Sequence, residues 1–189
     1  MAPDAIYGMS RLVRQLGGGD RRSIGRADAV VRRLLSDNSG FAEIVAGLSA
    51  SDALLCMRCA DVAEKVSSVH PEWREPYKKI ILDLAECAEQ KELRWHLAQI
   101  VPRLRLAAAE RAKAVQLLFG WLDDPSKIVK TFALDALAGF AQKDANLRRR
   151  LKPLLENARR SGSPAMRVRA SKLLHRLYGS RRARTAARG

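Results

Sequence analysis

Cys56-Met57-Arg58-Cys59 has the CxxC spacing that can hold zinc or shuttle between two thiols and a disulfide. Zinc asks for about four ligands. Cys87, His70 and His96 are the only other Cys or His donors nearby, and they contain no second close pair. A redox CxxC needs its reactive thiol at a helix N-terminus. Here both cysteines fall inside a predicted helix, with Cys59 on its apolar face, so packing is the favoured reading. No metal and no cofactor is expected. "GGGD" at residues 17–20 lacks the GxxxxGK[ST] spacing that cradles phosphate. The Ser, His and acidic residues form no nucleophile signature. The chain is therefore read as not an enzyme, with no small-molecule substrate.

Cations are the chemistry that remains. Arg169, Lys172 and Arg176 are spaced 3 and 4 apart and make one stripe on a helix. "NLRRRLKPLLENARR", just before it, adds Arg148, Arg149, Arg150, Lys152, Arg159 and Arg160. A solvated terminal cap, an acidic protein partner and nucleic acid all accommodate such charges, because charge alone does not distinguish polyanions.

The whole-chain totals sharpen this. The 189 residues carry a net charge of +15, unevenly spread. Residues 27–100 hold 9 Lys/Arg and 12 Asp/Glu, whereas residues 148–189 hold 14 against the single Glu156. Such asymmetry hints at a polyanionic partner or a basic tail. The length suits one domain able to bury a substantial core. No apolar run approaches the roughly 20 residues of a membrane span, so no membrane association is expected. The N-terminus has Asp4 early and no continuous apolar run, unlike a secretory signal. Three cysteines, an odd number, fit a reducing compartment, and a cytoplasmic location is expected.

The elements that must position these cations repeat. "LCMRCADVAEKV" from Leu55, "LRWHLAQIVPRL" from Leu93, "VKTFALDALAGF" from Val129 and "MRVRASKLLHRL" from Met166 start 38, 36 and 37 residues apart. Their aligned apolar columns are Leu55, Leu93, Val129, Met166; Cys59, Leu97, Ala133, Ala170; Ala63, Val101, Leu137, Leu174; and Val66, Leu104, Phe140, Leu177. Offsets of 0, 4, 8 and 11 lie on one face of an α-helix. A second apolar-periodic segment precedes each, at 40–48, 75–88, 108–122 and 146–160. Ser163 or Asp124 before proline supplies a helix-start signal, while Pro102 should kink the second repeated helix or end its regular part early. Periods of this length mean stacked helical units. Positions between the apolar columns should face solvent: Arg58, Asp61 and Lys65; His96, Gln99 and Arg103; Phe132, Asp135 and Gly139; and Arg169, Lys172 and Arg176. Trp95 adjoins this set.

The columns, the basic residue at the second position (Arg94, Lys130, Arg167) and the acidic turn at 123–124 resemble HEAT repeats, over roughly residues 40–178. The resemblance implies an all-α, right-handed α-solenoid of about four helix pairs, at 40–69, 75–104, 108–142 and 146–178, whose second helices line a concave face. Residues 27–36 form a further short helix capping the first repeat. Within a 26–178 solenoid, residues 1–25 are expected to be a flexible arm and 179–189 a disordered basic tail. The expected function is a scaffold that binds an acidic macromolecule, a protein first and nucleic acid second, through Arg103, Arg169, Lys172 and Arg176, with Trp95 and Phe132 as aromatic contacts. Some HEAT-like proteins are DNA glycosylases that use aromatics and a carboxylate. Asp135, Phe132 and Trp95 are the residues such a reading would need, and no residue-level motif match supports it.

Overall fold

The computed structural model describes residues 10–19 and 25–179. Among these residues every regular element is helical and no strand occurs. The chain divides into two compact units, Met1–Arg105 and Leu106–Gly189, with the division falling between the second and third repeats.

In the first unit, α1 spans Arg11–Arg14, α2 Ala27–Ser36, α3 Phe41–Ala46, α4 Ala53–Val69, α5 Lys78–Cys87 and α6 Lys91–Ile100. The α4 helix is central, packed on α2, α3 and α6. Asp52 starts it by accepting from the Leu54 and Leu55 N–H groups at 2.8 and 3.4 Å, satisfying donors that a helix start leaves open. The repeat columns Leu55, Cys59, Ala63 and Val66 are all buried. As expected from Pro102, α6 stops at Ile100 and a tighter 3-10 turn follows over Val101–Arg103. The short helix expected over 27–36 is α2, whose Ala27, Val30 and Leu34 are buried and which packs on α4.

The arm expected over 1–25 is corrected for the part described. Leu12, Val13 and Leu16 are buried, and α1 packs on α3. The rest of that arm, residues 1–9 and 20–24, lies outside the described residues. The anchor is Arg58, itself only 2% exposed. Its guanidinium donates to the Leu16 and Gly18 carbonyls at 2.7 and 2.5 Å. Gly25 has φ +56, a left-handed backbone that favours glycine, and a Cβ there would lie 2.9 Å from the Arg58 Cζ and push on its guanidinium.

In the second unit, α7 spans Ala108–Gly120, α8 Lys127–Ala141, α9 Ala145–Ser161 and α10 Pro164–Leu174, which continues as a π-helical turn over His175–Gly179. The α9 helix packs on both α8 and α10, and α7 on α8. Asp144 caps α9 by accepting from the Leu147 N–H at 2.9 Å. Ser163 caps α10 by accepting from Met166, with Pro164 in the first turn. Asp124 does not cap α8; it accepts from Ser126 N–H at 2.7 Å in the preceding turn. Val129, Ala133 and Leu137 are buried, as are Leu147, Leu151, Leu155 and Ala158 of α9. Burial thins toward the C-terminus: Met166, Leu174 and Leu177 are half-exposed, and Val168 is 58% exposed. No helix of the described residues is long and apolar enough to cross a membrane. The tail expected over 179–189 lies, after Gly179, outside the described residues.

Candidate functional site

The apolar stripe of α9 turns its opposite face to solvent, and cations populate that face. Arg148 bends back to the end of α8, where Nε donates to the Ala141 carbonyl at 3.1 Å and a terminal nitrogen to that of Gln142 at 2.8 Å. A cation there suits the negative pole of the helix. Arg149 donates to the Asn146 side-chain oxygen. Arg150 lies over the Phe119 ring at 4.5 Å, a cation–π contact. Lys152 sits 3.9 Å from Glu156 and 5.9 Å from the Tyr178 ring. Arg159 and Arg160, in the last turn of α9, are exposed and have no charge partner among the described residues.

The stripe on α10 is different in kind. Arg169 donates to Asp135 of α8 at 2.9 Å, and Arg176 approaches the other oxygen of the same carboxylate at 3.6 Å. Arg169 also stands 5.8 Å from the Phe132 ring centre. Three of the expected contact residues, Arg169, Arg176 and Phe132, are thus gathered around Asp135. Lys172 points elsewhere, exposed and without a described partner. Both oxygens of the carboxylate that a glycosylase reading needs are engaged by arginines.

In the first unit, Arg103 pairs with Glu64 at 2.8 Å and retains an exposed side chain. Trp95 is half-buried against His96, with ring centres 4.4 Å apart. The expectation that the whole inter-column set faces solvent fails at two positions. Arg58 is 2% exposed because residues 16–18 fold over its guanidinium, and His96 is 4% exposed on α6. Burial holds the His96 imidazole well below its usual range, down to about 4. Cys56 and Cys59 are both buried, and burial pushes their thiols up to about 11 and about 12. Cys56 Sγ donates to the Leu48 carbonyl at 3.1 Å, which is packing chemistry rather than redox chemistry.

Two cavities flank the basic helices of the second unit. One, of about 520 Å³, is lined by Lys152, Glu156 and Arg159 of α9 and by Ser171, Leu174, His175 and Tyr178 from α10 and its π-helical turn. Tyr178 closes this end by donating to the Arg148 carbonyl at 2.6 Å. The other, of about 400 Å³, lies among α8, the end of α9 and the start of α10. Sequence reasoning did not single out His175, Tyr178 or Lys127. Their only signal is adjacency to a helix end, which periodicity does not report. The Asp135 clamp was missed for another reason: Asp135 and Arg169 occupy different columns on successive repeats, and the alignment compares residues only within a column.

No family model, curated protein or solved structure matches the chain.

Proposed function

We propose that this chain is a non-enzymatic HEAT-type scaffold, with its helix pairs stacked as a right-handed α-solenoid, that captures an acidic protein segment on the basic helices of its second unit. The supporting observation is the set of exposed cations without charge partners, Arg159 and Arg160 on α9 and Lys172 on α10, on helices whose described acids are Glu156 alone. The proposal shifts weight within the expected contact set. Lys172 stays. Arg169 and Arg176 share the Asp135 carboxylate, which cancels one of their two charges, and Arg103 is held by Glu64.

A second reading, sequence-independent nucleic-acid binding, draws on the same cations and on "GSRRARTAARG" at 179–189, which holds four arginines and no acid. The two part company under salt. With about four phosphates engaged, the logarithm of a DNA-binding constant falls with that of salt at a slope near −3.6.

The test is a titration of the full chain with a short labelled Asp/Glu peptide and with generic duplex DNA, followed by fluorescence anisotropy. The Arg159→Glu, Arg160→Glu, Lys172→Glu triple variant is expected to lose peptide binding by about tenfold or more with helicity intact, each solvent-exposed charge contact being worth up to about 1 kcal/mol. Unchanged peptide affinity in that variant would falsify the assignment. Tight duplex binding without peptide binding would replace the first reading by the second.

A further inference from the structure

The 400 Å³ cavity of the second unit adds a chemistry that the exposed cations do not supply. Its floor is apolar, built from Leu122, Leu134, Leu154 and Met166. Leu154 is 36% exposed, and Leu122 and Met166 are half-buried, so apolar side-chain surface meets water there. Such a surface gains free energy when covered. The rim carries Lys127 and Lys130 of α8, and no ion pair or side-chain hydrogen bond among the described residues engages either ammonium. Asp123 is the only carboxylate on the rim.

The repeat pattern explains why a cationic rim is left open. The turn before α8 carries Asp123-Asp124, whereas the equivalent turn before α10 is Ser161-Gly162-Ser163 and bears no acid. That acid-free turn forms one wall of the cavity. Lys130, in the basic column of its repeat, therefore faces a turn that offers it hydroxyls and backbone but no carboxylate.

We propose that this cavity is an anchor pocket for an acidic peptide. One large aliphatic or aromatic side chain enters between Leu122, Leu134, Leu154 and Met166, and the flanking carboxylates lie against Lys127 and Lys130. The inference rests on the reading of an acidic protein partner and deepens it. It supplies what charge alone lacks, a means of telling a peptide from a nucleic acid. A phosphodiester backbone satisfies the lysines and leaves the leucines wet. A peptide with an apolar residue among its acids satisfies both.

The test compares three probes on the full chain by anisotropy: an Asp/Glu peptide with one central leucine, the same peptide with serine in its place, and a short oligothymidylate. The leucine peptide is expected to bind about tenfold or more tightly than the serine peptide, the return on burying one such side chain. Leu154→Asn, a charge-neutral change at a half-open surface position, and Ser161→Trp, at the exposed cavity wall, are expected to bring the two peptides within about twofold of each other while leaving the serine peptide near its original affinity. Two variants are used so that misfolding of one does not decide the matter. Equal affinities for the two peptides in the unaltered chain overturn the pocket. So does a leucine preference that survives both variants. In either case the basic-surface reading stands as long as the serine peptide still responds to reversal of Arg159, Arg160 and Lys172. Binding of neither peptide overturns both readings. Oligothymidylate binding tighter than the leucine peptide also overturns the pocket.

Discussion

His96 shows how a single buried side chain sets a condition on the whole first unit. It is 4% exposed, its Nδ1 has no hydrogen-bond partner among the described residues, and the charged groups around it are Asp61, Lys65 and Glu92. Burial dominates and favours the neutral ring, lowering its pKa from 6.5 to about 4. Above pH 6.5 the ring is neutral both folded and unfolded. As pH falls from there toward 4, the unfolded chain takes up a proton that the folded chain refuses, so stability drops across that window. Between pH 7 and pH 4.5 this one group costs about 2 kcal/mol. Urea unfolding of His96→Leu is expected to show a pH dependence shallower by about that amount. An unchanged pH dependence would mean that the imidazole is hydrated. Nothing in the sequence marked His96 as buried. It falls between the apolar columns, where helical periodicity assigns solvent, and the packing of α6 on α4, whose Asp61 and Lys65 lie around the ring, overrides that assignment.

At the level of elements, the pairing of α8 with α10 through Asp135 controls how much positive charge the stripe offers. Asp135 holds Arg169 and Arg176 and cancels one of their two charges. Side-chain exposures of 27, 39 and 45% put these contacts in partly solvated surroundings, where an ion pair contributes less than about 1 kcal/mol. Asp135→Asn is therefore expected to leave the fold standing and to raise affinity for an acidic peptide severalfold, with a steeper dependence on salt. Both are read from peptide titrations at two ionic strengths. Unchanged affinity would place Arg169 and Arg176 outside the contact surface. The helices themselves were legible because their signal is local: Leu55, Cys59, Ala63 and Val66 recur at the spacing of one helical face, and Ser163 stands before Pro164 where a cap must, whereas the caps Asp52 and Asp144 have no proline after them to mark them. The salt bridge was not legible, because it joins residues 34 apart in sequence and on different helices.

For the molecule as a whole, charge divides as the units do. Residues 106–189 hold 19 Lys/Arg and 6 Asp/Glu, a balance of +13, while residues 1–105 hold 16 and 14, a balance of +2. That partition was readable from composition and locates the proposed contact surface in the second unit. The proposed linear stacking of helix pairs is tested by solution scattering. A compact chain of this length has a radius of gyration of about 16 Å. A solenoid is expected to exceed it, and a value at or below it would return the chain to an ordinary globule. Sequence order separates the N-terminal segment from the α4 helix by some forty residues, so the contact of Arg58 with the Leu16 and Gly18 carbonyls lay beyond any local pattern. That contact has a practical consequence. Trimming the chain to begin at the first strongly periodic helix, as a designer of a minimal fragment would do, removes two carbonyl acceptors from a guanidinium sealed inside the protein. The shortened product would also lose the buried Leu12, Val13 and Leu16 from its core, and a failure to fold would say nothing against the repeats that follow.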